Sequence, residues 1–344
     1  MKILIYGVEG GYLRLSEKSK ERIRIKALEA KAEVVFVGDL KSAVHEIKDA
    51  EILFGHVTLE MLRNAKRLKW IQAPISSFGL PSGGYYIFPE LAESDIMLTN
   101  MSGICSDIIP THVFGYITCF ARDFHTMIRR QTRCEWNKNL KTFNLHGKVL
   151  GVIGLGGIGT EVARLGEAFG MKVIATRANL EKPKPSFVEK VWGCDGLRDL
   201  LQQSDFVVMC LPDAPSTVDL IGAEELKAMK KTSYLINIGR GRNIDLDALT
   251  KSLKNGEIAG AGLDVFPPDK EPLPSDHPLW QMENVIITPH SAGIGTPLER
   301  MVDVFLENFV RYIRGEQLLN LVDKRQMIPI GPTYKLPLSL FPGV

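Results

Sequence analysis

The sequence has few cysteines, no long apolar run and no block of like charge, and each absence excludes a class of protein. Its five cysteines form no CxxC pair or other metal-ligand spacing, which favours reduced thiols in the cytosol over a disulfide framework. The apolar stretches at 149–155 and 205–211 are too short to span a bilayer. A formal net charge of only +2 gives no reason to expect a nucleic-acid or membrane partner. We expect a cytoplasmic protein that contains no metal site.

The composition is that of a globular protein with more than one domain. The chain has 344 residues, of which 45% are hydrophobic and 24% charged, and this length suits two domains. Residues 2–6 already form a strand pattern, so no targeting segment is expected before the fold. Short buried-strand patterns then alternate with helical ones as far as residue 98, and a long helical pattern runs over 106–130. Such alternation predicts a parallel sheet covered by helices on both faces.

A second and more regular series of strands begins near residue 148. Its six strand patterns lie at 149–153, 172–176, 205–210, 233–237, 260–265 and 284–287. Six strands in this order match the doubly wound sheet that binds dinucleotides. An amphipathic helix over 296–314 follows, and the proline-containing segment from 324 on is expected to be an extended arm.

A glycine-rich turn follows the first strand of this series. The GxGxxG run consists of Gly154, Leu155, Gly156, Gly157, Ile158 and Gly159. The first glycine permits a tight turn, the second lets the backbone approach a pyrophosphate, and the third lets helix and strand pack closely. The N-terminus of the next helix would face the anion. A purely structural turn is the alternative, and the strand before it and the helix after it disfavour that alternative.

The end of the next strand carries an arginine where an acidic residue is expected in an NAD-specific site. A carboxylate at this position would bind the ribose 2′-hydroxyl. Here Thr176 is followed by Arg177, whose guanidinium suits the 2′-phosphate of NADP. The sequence therefore favours NADP(H). NAD(H) is the alternative if Arg177 is a solvated surface side chain.

Three chemically useful residues follow strand ends in the last third of the chain. Arg240 follows strand 233–237, Glu271 lies in the loop after the next strand, and His290 follows the last one. Because these ends lie on one side of one sheet, the three side chains can converge on the nicotinamide. Taken singly, each has an ordinary structural explanation as a surface ion-pair partner, a loop charge or a packed histidine.

Several motifs in register resemble the D-isomer-specific 2-hydroxyacid dehydrogenase family. The similar segments, within about 49–322, are 147–159, 211–212, 220–222, 237–241, 260–266, 271–274 and 288–290. Independent motifs in the right order are far more specific than any one of them. The resemblance implies an α/β fold of two Rossmann-like, doubly wound parallel-sheet domains with the active site in the cleft between them. It places dinucleotide binding in 99–295 and a flavodoxin-like substrate domain in 1–98 plus 296–344, usually in a homodimer.

Carried onto this sequence, the resemblance implies a role for individual residues. Arg240 would polarise the ketone and hold the substrate carboxylate, His290 would exchange the proton, and Glu271 would orient the imidazole. The cofactor contacts would be Gly154, Gly156, Gly157, Ile158, Gly159, Thr176, Arg177, Leu211, Pro212, Ile238, Gly239, Asp264 and Gly293. In the smaller domain, the backbone amides of Ser76 and Ser77 would bind the substrate carboxylate.

Two departures from the family pattern leave alternatives open. The spacing from Asp264 to Glu271 is two residues longer than usual, and Asp269 stands at the usual spacing, so it is the alternative partner for His290. Ser77 stands where the family usually has glycine, and Gly79 where it often has aspartate. These two differences leave the shape of the substrate loop open.

The expected reaction is the reduction of a small 2-keto acid to the D-2-hydroxy acid, or the reverse oxidation. Glyoxylate and hydroxypyruvate are the favoured substrates. Oxidation of D-3-phosphoglycerate, formate or phosphite are the alternatives within the same class. A cofactor-sensing, corepressor-like binding protein is the alternative of another class, and the lack of a long flanking tail disfavours it. Trp70 and Trp136 are expected to be packing residues.

Overall fold

The computed structural model describes residues 1–7, 13, 15–78 and 86–336 of the chain. These residues belong to two compact units. The terminal unit combines Met1–Ile104 with Gly295–Val344, and the central unit is Cys105–Ile294. None of the helices within the described ranges combines the length and the apolar character that crossing a membrane requires.

Both units are built from alternating strands and helices. The strands in the described ranges are β1 (Lys2–Tyr6), β2 (Glu33–Val37), β3 (Ile52–Gly55), β4 (Trp70–Gln72), β5 (Met97–Thr99), β6 (Val149–Ile153), β7 (Lys172–Thr176), β8 (Lys190–Trp192), β9 (Phe206–Met209), β10 (Tyr234–Asn237), β11 (Gly260–Leu263), β12 (Val285–Ile287), β13 (Leu321–Asp323) and β14 (Ile328–Ile330). The α-helices are α1 (Glu17–Glu29), α2 (Leu40–Glu46), α3 (Leu59–Asn64), α4 (Pro89–Ala92), α5 (Ile108–Ala121), α6 (Phe124–Gln131), α7 (Gly157–Ala168), α8 (Leu197–Gln203), α9 (Ala223–Ala228), α10 (Leu246–Lys254) and α11 (Glu299–Arg314).

The sheet of the terminal unit has the strand order β14-β13-β5-β4-β3-β1-β2. Strands β1 to β5 are parallel, in the 2-1-3-4-5 order of flavodoxin-like sheets. Strand β13 pairs antiparallel with β5, and β14 pairs antiparallel with β13. The segment from residue 324, expected to be an extended arm, therefore contributes a strand to this sheet. Phe305 of α11 stacks on Phe54 of β3 and on Trp70 of β4, so the C-terminal helix covers one face of the sheet.

The sheet of the central unit is entirely parallel, in the order β12-β11-β10-β9-β6-β7-β8. This is the order of a dinucleotide-binding sheet with one strand added beyond β11. Val152 and Val208 pack on one face of the sheet, and Ile153 and Val207 on the other. Both faces are buried because side chains alternate along each strand and helices cover both sides. The predicted fold class, two parallel-sheet α/β units, is confirmed.

Three local expectations were wrong. The helical pattern over 106–130 forms two helices, because Asp123 adopts a left-handed backbone conformation (φ +57°) that ends α5. Strand β8 was missed, since three residues of the sequence Lys-Val-Trp give too little pattern to recognise. Trp136 is 93% exposed and is therefore no packing residue, whereas Trp70 is fully buried.

Candidate active site

The turn after β6 has the shape that a pyrophosphate requires. Gly154 adopts a positive φ of +96°, and a Cβ on it would lie 2.8 Å from the carbonyl oxygen of Cys210. A Cβ on Gly159 would collide with the carbonyl oxygen of Gly154, so this position needs glycine for close packing of α7 on the turn. A Cβ on Gly156 would meet nothing within 4 Å. The space in front of Gly156 is therefore open to a ligand that approaches the backbone.

Helix α7 points its N-terminus at the same open space. Gly156 is the N-cap residue, and the helix begins at Gly157. The first amide groups of a helix have no intrahelical acceptor, and they carry the positive end of the helix dipole. Gly156 and Gly157 are exposed, so their backbone is accessible to an anion. The residues present thus fit the pyrophosphate of a nicotinamide dinucleotide.

Strand β7 places Thr176 and Arg177 beside this turn. The carbonyl oxygen of Thr176 accepts hydrogen bonds from the amide groups of Gly154 (3.0 Å) and Leu155 (3.2 Å). Arg177 donates from its two terminal nitrogens to the carbonyl oxygens of Lys182 and Pro183, the latter at 3.1 Å. Its Nε has no partner among the described residues. The guanidinium is therefore held by main-chain carbonyls and forms no ion pair with a described residue.

The other predicted cofactor contacts lie at neighbouring strand ends. Leu211 and Pro212 follow β9, and Ile238 and Gly239 follow β10. A Cβ on Gly239 would lie 2.8 Å from the carbonyl oxygen of Leu211, so the two loops are in close contact. Gly293 lies in the loop after β12, on the same side of the sheet.

Arg240 is held by its backbone at the end of β10. Its amide group donates to Oδ1 of Asn243 (2.9 Å), and its carbonyl oxygen accepts from Nδ2 of Asn237 (2.9 Å). Burial lowers the pKa of the Arg240 guanidinium, while the carboxylates of Asp213 and Glu271 raise it. An arginine remains charged despite such a shift, because its ordinary pKa is so high. The site therefore holds a fixed, partly buried positive charge close to Glu271.

His290 and Glu271 form a hydrogen-bonded pair. Nδ1 of His290 lies 2.6 Å from Oε1 of Glu271, and the two side chains are 52% and 34% exposed. An ionised carboxylate only accepts hydrogen bonds, so Nδ1 carries the proton of this contact. Nε2 is left without a partner among the described residues. Of the two carboxylates that the sequence left open, Glu271 makes this contact, while Asp269 lies in the short 3₁₀ helix Pro268–Lys270 before it.

The loop that carries His290 is held by Asp264. His290 has a positive φ of +51°, and its amide group donates to the carbonyl oxygen of Asp264 (2.8 Å). The Asp264 carboxylate accepts from the amide groups of Ser291 (2.8 Å) and Ala292 (3.0 Å) and from the hydroxyl of Thr288. The side chain is buried, so these contacts hold an uncommon backbone conformation in place.

Sequence reasoning missed two residues of this network. Nε2 of His112 lies 3.1 Å from Oγ1 of Thr288, and the hydroxyl of Tyr116 lies 2.5 Å from the same oxygen. Burial raises the pKa of Tyr116. No motif links residue 112 to residue 288, so no signal in one sequence could have joined them. The network borders a cavity of about 460 Å³ that is lined by Asp107, Ile108, Thr111, His112, Ser291, Ala292 and Ile294.

Ser76 and Ser77 lie in the terminal unit, after the carboxyl end of β4. The carbonyl oxygen of Ser76 accepts from Nδ2 of Asn100 (3.1 Å) and from the hydroxyl of Ser102 (3.2 Å). The amide groups of Ser76 and Ser77 have no hydrogen-bond partner among the described residues. Two free amide groups in succession can bind a carboxylate. Gly79, the other departure from the family pattern, lies outside the described residues.

Comparison with known proteins identifies the relatives of this chain. The NAD binding domain of the D-isomer specific 2-hydroxyacid dehydrogenases matches residues 114–292. A glyoxylate reductase from Pyrococcus horikoshii is 33% identical over 329 residues, which cover 90% of this chain and 94% of that protein. One from Aeropyrum pernix is 42% identical over 240 residues, covering 67% and 70%. A D-3-phosphoglycerate dehydrogenase from Methanocaldococcus jannaschii is 33% identical over 310 residues, covering 87% and 57%.

Solved structures agree with these relatives. A D-isomer specific 2-hydroxyacid dehydrogenase from Xanthobacter autotrophicus Py2, in complex with NADPH and MES, superimposes with a TM-score of 0.77 and 26% identity and covers 94% of this chain and 98% of its own. The NAD-complexed enzyme from Lactobacillus delbrueckii ssp. bulgaricus has a TM-score of 0.73 and 26% identity, with 94% and 100% coverage. The resemblance seen in the sequence is confirmed: the chain belongs to the D-isomer specific 2-hydroxyacid dehydrogenase family of oxidoreductases.

Proposed function

We propose that this enzyme reduces a small 2-keto acid, glyoxylate or hydroxypyruvate before others, to the D-2-hydroxy acid, with NADP(H) favoured over NAD(H). The observation that carries the proposal is the hydrogen bond of 2.6 Å between His290 and Glu271, near the fixed positive charge of Arg240. The glyoxylate reductases among the relatives support the choice of substrate. The reverse oxidation uses the same groups.

His290 exchanges the proton of the reaction. In the reducing direction, Nε2 of the protonated ring donates a proton to the substrate oxygen, and in the oxidising direction the neutral ring accepts it. Glu271 accepts the hydrogen bond from Nδ1, so it fixes the orientation of the ring and directs Nε2 to the substrate. Asp264 stabilises the position of His290, because it accepts hydrogen bonds from the amide groups of His290 and Ser291.

Arg240 and the loop after β4 recognise the acid. We call this loop, which carries Ser76 and Ser77, the serine loop. The planar guanidinium of Arg240 donates to the keto oxygen, where negative charge develops, and to the substrate carboxylate. Its partial burial strengthens this interaction, because the effective dielectric constant is lower than in water. In the terminal unit, the amide groups of Ser76 and Ser77, which are unpaired within the described ranges, are the proposed contacts to a substrate carboxylate.

The cofactor, when bound, supplies or accepts the hydride. The glycine turn and the first amide groups of α7 hold the pyrophosphate, and Arg177 contacts the 2′-phosphate. The remaining contacts come from Thr176, Leu211, Pro212, Ile238, Gly239, Asp264 and Gly293. In this proposal 99–295 binds the cofactor, 1–98 plus 296–344 binds the substrate, and the enzyme is a cytoplasmic homodimer.

D-3-phosphoglycerate is the second candidate substrate. The observation that favours it is the relative from Methanocaldococcus jannaschii, which carries that activity in its name and is 33% identical. The match covers 87% of this chain and 57% of that relative.

The test is a panel of initial rates. NADPH oxidation, with NADH in parallel, is followed with glyoxylate, hydroxypyruvate and pyruvate, and NADP⁺ or NAD⁺ reduction is followed with D-3-phosphoglycerate. Turnover of a 2-keto acid that His290→Ala abolishes supports the proposal. Turnover of D-3-phosphoglycerate alone transfers the assignment to the second candidate. An enzyme that binds NADPH but reduces none of the keto acids contradicts the proposed substrate.

A further inference from the structure

The C-terminal segment after α11 is linked to the serine loop in two steps. Asn320 contacts the segment 100–102, and that segment contacts the loop. Asn320 is fully buried, and its Nδ2 donates to the carbonyl oxygens of Asn100 (3.1 Å) and Ser102 (2.9 Å). A backbone hydrogen bond joins the same two residues: the amide group of Asn100 donates to the carbonyl oxygen of Asn320 (3.2 Å). Three hydrogen bonds therefore join residue 320 to the segment 100–102.

The segment 100–102 in turn holds the serine loop. The amide group of Met101 donates to the carbonyl oxygen of Ile75 (2.7 Å). The carbonyl oxygen of Ser76 accepts from Nδ2 of Asn100 and from the hydroxyl of Ser102. All these contacts use carbonyl oxygens of the loop. The amide groups of Ser76 and Ser77 stay unpaired within the described part of the chain, and the direction in which they point is set by these neighbours.

The orientation of the Asn320 side chain depends on residues further along the chain. The amide group of Tyr334 donates to Oδ1 of Asn320 (2.9 Å), so the NH₂ group has to face Asn100 and Ser102. The backbone of Asn320 has a positive φ of +56°, and its amide group donates to the carbonyl oxygen of Pro332 (2.8 Å). A Cβ on Gly103 would collide with the carbonyl oxygen of Tyr334, so the two segments are in direct contact.

We propose that the segment 320–334 positions the serine loop for the substrate carboxylate, with Asn320 as the positioning residue. This inference rests on the proposed function, since it needs Ser76 and Ser77 to bind the acid. Asn320 is fully buried, so its side chain is not exposed to a ligand. It acts through Asn100 and Ser102, and it therefore affects the affinity for the keto acid and leaves cofactor binding and proton transfer unchanged.

The test compares two variants of the full-length enzyme with a matched control. Asn320→Gly removes the side-chain amide and tolerates the positive φ, and Tyr334→Pro removes the amide group that orients it. The control is Arg325→Ala, which breaks a contact of the same segment with Glu93 (3.0 Å) away from the loop. We expect both variants to raise the KM for the keto acid about tenfold, because each misplaces oriented hydrogen-bond donors. In both variants kcat and the KM for NADPH stay within about twofold, because the serine loop is proposed to bind only the acid. All constants of Arg325→Ala stay within about twofold, because Arg325 lies outside these contacts.

Hydrogen exchange gives a second readout that needs no turnover. Peptides that cover 71–78 exchange faster in Asn320→Gly and Tyr334→Pro than in Arg325→Ala if the segment holds the loop. A raised KM together with faster exchange supports the proposal. Unchanged exchange, or faster exchange with an unchanged KM, overturns it. A wild-type enzyme that reduces no keto acid refutes the proposed function instead, so the two failures are distinguishable.

Discussion

The proposed proton-transfer pair depends on one contact, between Nδ1 of His290 and Oε1 of Glu271 at 2.6 Å. Replacing Glu271 by Gln keeps the shape of the side chain and removes the carboxylate that orients the imidazole through Nδ1. We expect kcat/KM for keto-acid reduction to fall about 100-fold, the lower end of what general acid catalysis contributes. The measurement is kcat/KM from initial rates of keto-acid reduction. Asp269→Asn is the control, and an effect seen only with that variant transfers the role to Asp269.

Arg177 determines the expected cofactor preference. Its terminal nitrogens contact main-chain carbonyl oxygens, so a phosphate can approach without breaking an ion pair. Arg177→Asp should raise the KM for NADPH about 10- to 100-fold through the loss of charged hydrogen bonds, with little effect on NADH. Lys172→Asp makes the same charge change at the other end of β7 and should change neither value. Equal effects of Arg177→Asp on both cofactors would remove this residue from the phosphate site.

The candidate site was predictable residue by residue only where a motif marked it. Arg240, Glu271 and His290 each follow a strand end, and parallel strands bring such ends to one edge. The contact of His112 with Thr288 joins residues 176 positions apart in sequence, so no spacing rule could predict it. The direction of the Arg177 side chain was likewise not predictable, because it depends on the loop at 182–183.

At the scale of elements, two glycines at the start of α7 have different roles. One leaves space for the cofactor, and the other permits close packing of the fold. A Cβ on Gly156 meets nothing within 4 Å, whereas one on Gly159 meets the backbone of Gly154. We expect Gly156→Ala to keep the melting temperature of the cofactor-free enzyme and to raise the Kd for NADPH at least about tenfold, because the methyl group occupies the pyrophosphate's approach. Gly159→Ala should lower the melting temperature by several degrees, as overpacking costs about 1–3 kcal/mol. Calorimetry and fluorescence titration measure the two effects, and equal melting temperatures for the two variants would contradict this division of roles.

The helices and strands were predictable where their burial requires a regular pattern of apolar residues. Strands β6 and β7 match their predicted ranges, since a strand buried on both faces is a short apolar run bounded by turns. The break between α5 and α6 was missed, because it depends on the left-handed conformation of Asp123 and not on the hydrophobic period. Strands β13 and β14 were missed as well, since three residues each give too little pattern to recognise.

At the scale of the whole molecule, the residues of the proposed site belong to both units. The glycine turn, Arg177, Arg240, Glu271 and His290 all belong to the central unit, and Ser76 and Ser77 belong to the terminal unit. The sequence predicted two α/β domains because each unit has its own set of strands. The resemblance places 296–344 with 1–98, and in the structure β13 and β14 join the first sheet. The limits of the functional domains stay a prediction.

The placement of the glycine turn in the central unit predicts where cofactor binding stabilises the chain. A ligand that binds only the folded state at a concentration of 100 times its Kd adds about 2.7 kcal/mol to the free energy of unfolding. With NADPH, hydrogen exchange should slow in peptides over 154–177 and 238–240, because the amide groups there hold the pyrophosphate and the 2′-phosphate side. Gly156→Ala is the matched control and should show weaker protection at the same NADPH concentration, since a tenfold higher Kd leaves only about 1.4 kcal/mol of added stability. Protection confined to 71–78 would place the dinucleotide in the terminal unit and contradict the assignment of the glycine turn.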